Sequence, residues 1–403
     1  MKLKVINDDG SVKCHDISDT HLKDESLSGD VRYIGTQSKE ENALNIYKAY
    51  FSKAKVILLD ETNTFLVDEM QRLNIVDFST NQKQKTIFDR EDFTFMYYTS
   101  GSTGMPTGAL KTLDNIISEV ESVTKLLQSY SINKVIVTVP FIHLYGTLFG
   151  LMYPLLNEID IVFKEHFLPH DLLSIADPHT MVVTTPLYIK ALNTLTEAKD
   201  LSQTLFVSST APLDEKSICS FNEKFSADIM QIYGSTETGG IAYKINTNPL
   251  WKPFTQVDIY TNQAQELEVK SPFVSRKLYA NSFIDTKGKI KTFDYIEEEK
   301  GGFTLIGRSA KIFKLAGKRY STVHIEHILE SISDIHRALV FVVLKKDSLR
   351  GECLDITLES SKIFTKREIK KLLQDNLSNL KFAIELHHVD KIVVNQLGKK
   401  LRI

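Results

Sequence analysis

In "YYTSGSTGMPTG" (97–108), the residues after Tyr98 are five hydroxyl side chains and three glycines, interrupted only by Met105 and Pro106. A buried core has no use for such a run. With so few bulky side chains the backbone can turn its N–H groups inward and add hydroxyl donors, which makes a concave site for an anion. The plain alternative is a solvated surface turn. Two phosphate loops are excluded by spacing. The Walker pattern needs Gly-Lys five residues after its first glycine, and Gly101 and Gly104 are followed at that distance by Pro106 and Ala109. The dinucleotide pattern G-x-G-x-x-G fails because neither glycine has another two residues on.

Outward from the loop, apolar residues Ile116, Val120, Val123 and Leu127 recur at helical spacing and predict a helix over about 112–129, directly after the glycine-rich turn. Such a helix would aim its positive dipole end at the bound anion. Before the loop, "NALNIYKAYFSKAKVILLDET" reads as an amphipathic helix and a strand over 56–59. After it, the apolar runs 134–140, 181–186, 204–209 and 228–234 read as buried strands, with a helix over 213–225 between the last two. Strands alternating with helices predict an α/β fold: a large N-terminal domain with mostly parallel sheets and flanking helices. From about Glu266 the pattern turns to strands and turns. The last ninety or so residues read as a small, mobile α+β domain, with strands over 338–344, 353–359 and 383–389 and a helix opening at Thr365, where Glu368 completes a capping box. The boundary is placed near 307–311, giving domains 1–309 and 310–403.

Composition narrows the function. The chain has 403 residues, 42% hydrophobic and 25% charged, with a formal net charge of -2. That balance offers no basic field for nucleic acid. Cys14, Cys219 and Cys353 fit neither a disulfide framework nor a zinc site. No apolar run approaches the roughly eighteen residues of a membrane span. A cytoplasmic protein without stable membrane insertion is expected.

"YTSGSTGMPTG" resembles the phosphate-binding loop of the acyl-adenylate-forming superfamily, AMP-dependent synthetases that include acyl- and aryl-CoA synthetases. Ten of eleven positions agree, and Thr107 stands where the family has lysine. Further segments follow in the family's order. "PFIHLYG" (140–146) is similar to the segment beside the carboxylate substrate, "SSTAPL" (208–213) to the adenine loop usually written Gly-Gly-Ala-Pro-Leu, and "YGSTETGG" (233–240) to the Tyr-Gly-x-Thr-Glu motif. "TFD" (292–294) resembles Thr-Gly-Asp with Phe293 in place of glycine, "GRSAKIFKLAG" (307–317) the hinge, and "NQLGKKLR" (395–402) the C-terminal Gly-Lys-x-x-Arg. The likeness runs from Tyr97 to the end, and the region before it is shorter than the family has there.

The resemblance implies that a carboxylate attacks the α-phosphate of ATP, releasing pyrophosphate, after which the acyl group passes to a phosphopantetheine thiol on coenzyme A or an acyl carrier protein. Catalysis is then mainly charge neutralisation and positioning. By resemblance, Thr99, Ser100, Gly101, Ser102, Thr103 and Gly104 hold the phosphates, Thr236 bonds the α-phosphate and Glu237 ligates Mg²⁺. Ala211, Pro212, Tyr233 and Gly234 surround adenine, Asp294 and Arg308 take the ribose, and His143 gates the acid. Lys399 bridges nucleotide and substrate, while Lys314 and Gly317 line the thiol's approach. Each has a plainer reading as a turn, core or solvated residue. Lys399 beside Lys400 and Arg402, for one, reads as a solvated basic tail.

No acidic residue follows Phe141 where amino-acid-activating relatives carry Asp, so an aromatic or fatty acid without an α-amino group is expected. Thr107, the Ala310 hinge position and the short N-terminal part motivate one rival, a nucleotide-binding scaffold that has lost thioester formation; an adenylating enzyme with a non-thiol acceptor is another. The identity of the acid, the choice of acceptor and the oligomeric state are not legible in the sequence.

Overall fold

The computed structural model describes residues 1–35, 38–80, 82–99, 107–262, 266–308, 312–315, 318–344, 352–376, 383–394 and 400. Along the chain the first strands are β1 (Lys2–Ile6), β2 (Val12–Asp16), β3 (Val31–Ile34), β4 (Lys55–Leu58), β5 (Val76–Asp77), β6 (Phe95–Thr99) and β7 (Thr107–Lys111). There follow β8 (Lys134–Val137), β9 (Asp160–Phe163), β10 (Thr180–Thr184), β11 (Thr204–Ser208), β12 (Asp228–Ser235), β13 (Gly239–Ile245) and β14 (Lys252–Pro253). Next are β15 (Asp258–Thr261), β16 (Glu266–Lys270), β17 (Lys277–Tyr279), β18 (Phe283–Asp285), β19 (Lys289–Glu299) and β20 (Gly302–Arg308). The C-terminal part adds β21 (Ile312–Leu315), β22 (Lys318–Ser321), β23 (Ile335–Leu344), β24 (Glu352–Ser360) and β25 (Ala383–Val389).

A nine-stranded sheet has the order β14-β13-β12-β11-β10-β8-β9-β1-β2. Its strands from β12 across to β1 are parallel neighbours. The central strands β8, β10 and β11 carry unbroken apolar runs at 135–137, 181–183 and 205–207 because both faces are covered. One face presents Ile136, Val182, Phe206 and Ile229 to Leu172, Ile189, Ile218 and Phe221 of the helices Pro169–Ile175, Pro186–Asn193 and Glu215–Phe225. The alternate residues Val135, Val137, Val183 and Val207 join a second core. It takes in Ala43 and Ile46 of the helix Lys39–Ser52, Ile116 and Val120 of the helix Leu113–Leu127, and Val56 and Phe95 of the other large sheet. Each such side chain fully buried contributes about 1.5–3 kcal/mol.

The other large sheet, β18-β17-β7-β6-β4-β3-β5, is parallel from β6 to β5 and antiparallel beyond. Here one expectation is corrected. The helix does not follow the glycine-rich turn directly, because β7 returns antiparallel to β6 first, pairing Thr99 with Thr107. The helix Leu113–Leu127 starts only after it, and its first turn is closed by its own cap, with Thr112 Oγ1 accepting from Asn115 N–H at 3.2 Å. Its N-terminus is therefore filled by a side chain and is not an open anion site.

β15, β16, β19 and β20 form an antiparallel sheet. In the C-terminal part β23, β24 and β25 carry a separate core of Ile325, Leu329, Val340, Ile356, Ile369 and Leu373, contributed with the helices Thr322–Glu330 and Lys366–Asn376. The expected capping box forms: Glu368 N–H donates to Thr365 Oγ1 at 3.3 Å and Thr365 N–H to Glu368 Oε2 at 2.7 Å. Among the described residues no helix is long and apolar enough to cross a membrane.

Candidate functional site

Parallel strands leave their following loops at one edge, where ligand sites of α/β sheets lie. β8, β11 and β12 share that direction, so the segments 140–146, 209–213 and 236–238 emerge together. Three of the sequence motifs thus come together at one edge of the sheet. Ser100, Gly101, Ser102, Thr103, Gly104, Ala310, Gly317 and Lys399 lie outside the described residues. Thr99, Arg308 and Lys314 are placed as backbone positions in β6, β20 and β21.

The segment after β8 folds back on itself. Thr147 Oγ1 donates to the Phe141 carbonyl at 2.6 Å, and a Cβ on Gly146 would sit 2.0 Å from the Pro140 carbonyl oxygen. Only glycine closes this turn. Tyr145 ties it to the sheet edge, its hydroxyl donating to the carbonyls of Val207 at 2.7 Å and Thr184 at 3.1 Å. His143 stands at the head of the ensuing helix, partly buried. Burial lowers its pKa below the usual histidine value, against the pull of the Asp60 carboxylate. The ring is neutral at pH 7, able both to donate and to accept a hydrogen bond.

After β11, Ser209 Oγ donates to the Ile232 carbonyl at 3.0 Å, and Thr210 takes φ +81°. Phe293 takes φ +59°. Both stand where the resembling family writes glycine, and both hold the left-handed conformation glycine adopts freely. A β-branched or bulky residue there is strained by about 1–3 kcal/mol. Thr210→Gly and Phe293→Gly are each expected to raise stability, by up to about 1 kcal/mol after the extra freedom of the unfolded glycine is set against the relief. A higher urea midpoint at unchanged slope is the readout. Phe293 is 53% exposed, so little burial is lost with its ring.

The turn after β12 is internally latched, with Ser235 N–H donating to Thr238 Oγ1 at 3.0 Å and Thr238 N–H to Ser235 Oγ at 3.2 Å. Thr236 and Glu237 lie on it, partly exposed. Tyr233 packs its ring against Trp251 and Phe303, and its hydroxyl donates to Asp294 Oδ2 at 2.5 Å. Asp294 is only 2% exposed and pairs across the β19–β20 ladder with Arg308. On the other side of β19, the β16–β19 ladder shifts register between Glu266 and Glu268, and Thr292 Oγ1 donates to the Leu267 carbonyl there at 3.1 Å.

Several contributors had no signal in the sequence. Lys111 does not stand in for the lysine missing at Thr107: it is fully buried, with Nζ donating to the carbonyls of Phe273 at 2.7 Å and Glu237 at 3.2 Å. Desolvation holds its pKa down to about 8, opposed by the carboxylates of Glu119 and Glu237. Lys400 is not a solvated tail residue. Its Nζ pairs with Glu330 at 2.5 Å and Glu326 at 3.0 Å and donates to the Ala338 carbonyl at 2.7 Å.

The residues present fit a magnesium nucleotide. Ser208 and Gln231 pair in register beside the 209–213 loop, and Ser208 Oγ and Gln231 Nε2 are buried without a partner. Buried polar atoms are normally satisfied, and a polar ligand at this edge could partner these two. Glu237 offers one hard carboxylate, and Mg²⁺ is commonly held by one or two carboxylates with phosphate oxygens. A polar cleft elsewhere is closed on itself, since Lys48 pairs with Asp24, and both Arg32 and Lys83 with Asp30.

Fold and site together describe a large α/β protein with its candidate site at the carboxyl edge of a parallel sheet. The chain belongs to the AMP-binding enzyme family, whose sequence profile matches residues 20–269. It is 23% identical over 386 residues to peroxisomal OPC-8:0-CoA ligase 1 of Arabidopsis thaliana, covering 87% of this chain and 70% of the relative. It is 25% identical over 348 residues to probable CoA ligase CCL5 of Humulus lupulus, covering 78% and 63%. Thus the chain spans about two thirds of these relatives' length. Among solved structures, o-succinylbenzoate-CoA synthetase (MenE) of Bacillus subtilis, in complex with its acyl-adenylate intermediate, superposes with TM-score 0.82 at 17% identity, covering 99% of this chain and 94% of that one. That likeness shows the shared fold.

Proposed function

We propose that the chain activates a carboxylic acid with ATP and passes it to a thiol. A carboxylate oxygen attacks the α-phosphorus, the bond to the bridging oxygen breaks and pyrophosphate leaves. A phosphopantetheine sulfur then takes the acyl group and AMP departs. Ser100, Gly101, Ser102, Thr103 and Gly104 would hold the β- and γ-phosphates, Thr236 the α-phosphate and Glu237 the Mg²⁺. Ala211, Pro212 and Tyr233 would surround adenine, with Asp294 and Arg308 on the ribose. His143 would stand beside the acid and Lys399 between acid and nucleotide. Residues 310–403 would act as a lid turning near 307–311, bringing Lys314 and Gly317 to the thiol. Coenzyme A is favoured as acceptor by the CoA ligase relatives, and an acid without an α-amino group by the lack of a carboxylate in 141–146.

The observation that carries this reading is the convergence of the 140–146, 209–213 and 236–238 segments at one sheet edge, with Asp294 bonded to Tyr233. The burial of Lys111 favours the scaffold as second reading, because it leaves the charge missing at Thr107 unreplaced from that position. Acid-dependent ATP–pyrophosphate exchange over a panel of aromatic, fatty and amino acids tests the two. Exchange with at least one non-amino acid, followed by thioester formation on adding coenzyme A, is expected. ATP binding with no exchange for any acid selects the scaffold. Exchange with no thioester on coenzyme A or carrier protein selects a non-thiol acceptor.

A further inference from the structure

We infer that Lys111 and Glu119 are positioning residues of the nucleotide site, two buried side chains that hold the turn bearing Thr236 and Glu237 from behind, Lys111 at the Glu237 carbonyl and Glu119 at the Gly240 N–H, and tie it to β7. The inference rests on the adenylation reading. Lys111 closes β7, so its backbone belongs to the hairpin of the phosphate loop, while its ammonium reaches across to the Glu237 carbonyl. That carbonyl also accepts from Ser275 N–H at 2.9 Å, so the Glu237 peptide is pinned by two donors.

Glu119, 4% exposed on the helix Leu113–Leu127, holds the far end of the turn by accepting from Gly240 N–H at 2.6 Å. The paired glycines of "TETGG" make this approach possible. A Cβ at Gly239 would lie 2.5 Å from Glu119 Oε2, and one at Gly240 3.1 Å from Oε1. Gly239 also requires φ +71°. The sequence thus gives up two side chains so that a carboxylate can grip the backbone.

Stability does not account for the pair. The cost of taking each side chain out of water is offset by hydrogen bonds to backbone groups, which regain at best what well-packed apolar side chains would supply. What the ions do that methyl groups cannot is fix one carbonyl and one amide of the turn at set points. The place of the Glu237 backbone relative to β7 is then set by this lock. Residues behind a metal ligand commonly tune metal affinity by tenfold or more.

The test uses the full chain with Thr236 and Glu237 unchanged. ATP binding is titrated by calorimetry at a series of Mg²⁺ concentrations, beside thermal unfolding. Lys111→Met is expected to lower Tm, because the Phe273 and Glu237 carbonyls lose its ammonium and the buried Glu119 carboxylate loses a nearby positive charge, and to raise the Mg²⁺ half-saturation about tenfold. The double variant Lys111→Met/Glu119→Leu is expected to regain part of that Tm, since no lone charge stays buried, and to keep the tenfold shift. If the double variant regains both, or Lys111→Met leaves the Mg²⁺ dependence unmoved, the pair is merely structural and the inference is overturned. Where Lys111→Met does not fold, Lys111→Gln gives the same readout with a smaller shift. A wild-type chain that binds no ATP at any Mg²⁺ concentration removes the adenylation reading, and the inference with it.

Discussion

Lys399→Ala is expected to slow acid-dependent ATP–pyrophosphate exchange by at least about a hundredfold while leaving Tm within a degree or so of the wild type. The proposed reaction would press a carboxylate against a phosphate, and the ammonium proposed there for Lys399 would offset the repulsion most where charge builds up. The neighbouring lysine makes the contrast sharp. Lys400 is bound to Glu326 and Glu330, and Glu326 is 5% exposed, so Lys400→Ala leaves carboxylates buried without their cation. That variant is expected to lose about 2 kcal/mol of stability in the C-terminal part. Adjacent lysines should therefore separate, one losing rate without stability and the other stability first. Exchange at the wild-type rate in Lys399→Ala would take that residue out of the chemistry.

How much of this was legible beforehand depends on whether the signal was local. The strands β8, β10, β11 and β12 were readable because burial on both faces demands unbroken apolar runs, and their parallel order followed from the helices between them. The motifs at their ends were readable because glycine and hydroxyl positions are fixed by backbone approach. Gly146 and Gly234 are irreplaceable for reasons of a few ångströms. By contrast β7 reads "TGALK", a short run with a terminal lysine, and nothing in it announces that Lys111 turns inward. Its partners Glu237 and Phe273 lie more than a hundred residues on. β1 finds its place only by pairing Leu3 with Ile161. The left-handed Thr210 contradicts local preference outright, which is why propensity alone could not show it. Sites are where such contradictions gather.

Gly234→Ala is expected to cost about 3 kcal/mol and to weaken MgATP binding at least tenfold. An added Cβ there would sit 2.3 Å from the Gly239 carbonyl oxygen and 3.1 Å from both the Gly239 carbonyl carbon and the Gly240 Cα. All three are backbone atoms, so no side chain can swing aside. The strain must open the β12–β13 ladder where its register already shifts between Tyr233 and Gly234. That movement carries Tyr233 off Asp294 on one side and Thr236 and Glu237 off their anchors on the other. Gly10→Ala is the control: its Cβ meets nothing within 4 Å, but φ +82° still penalises alanine by about 1 kcal/mol. Both variants should melt early, and only Gly234→Ala should lose nucleotide affinity at a temperature where the fold is intact. Equal MgATP affinity in the two, measured by calorimetry well below either Tm, would move the nucleotide away from this turn.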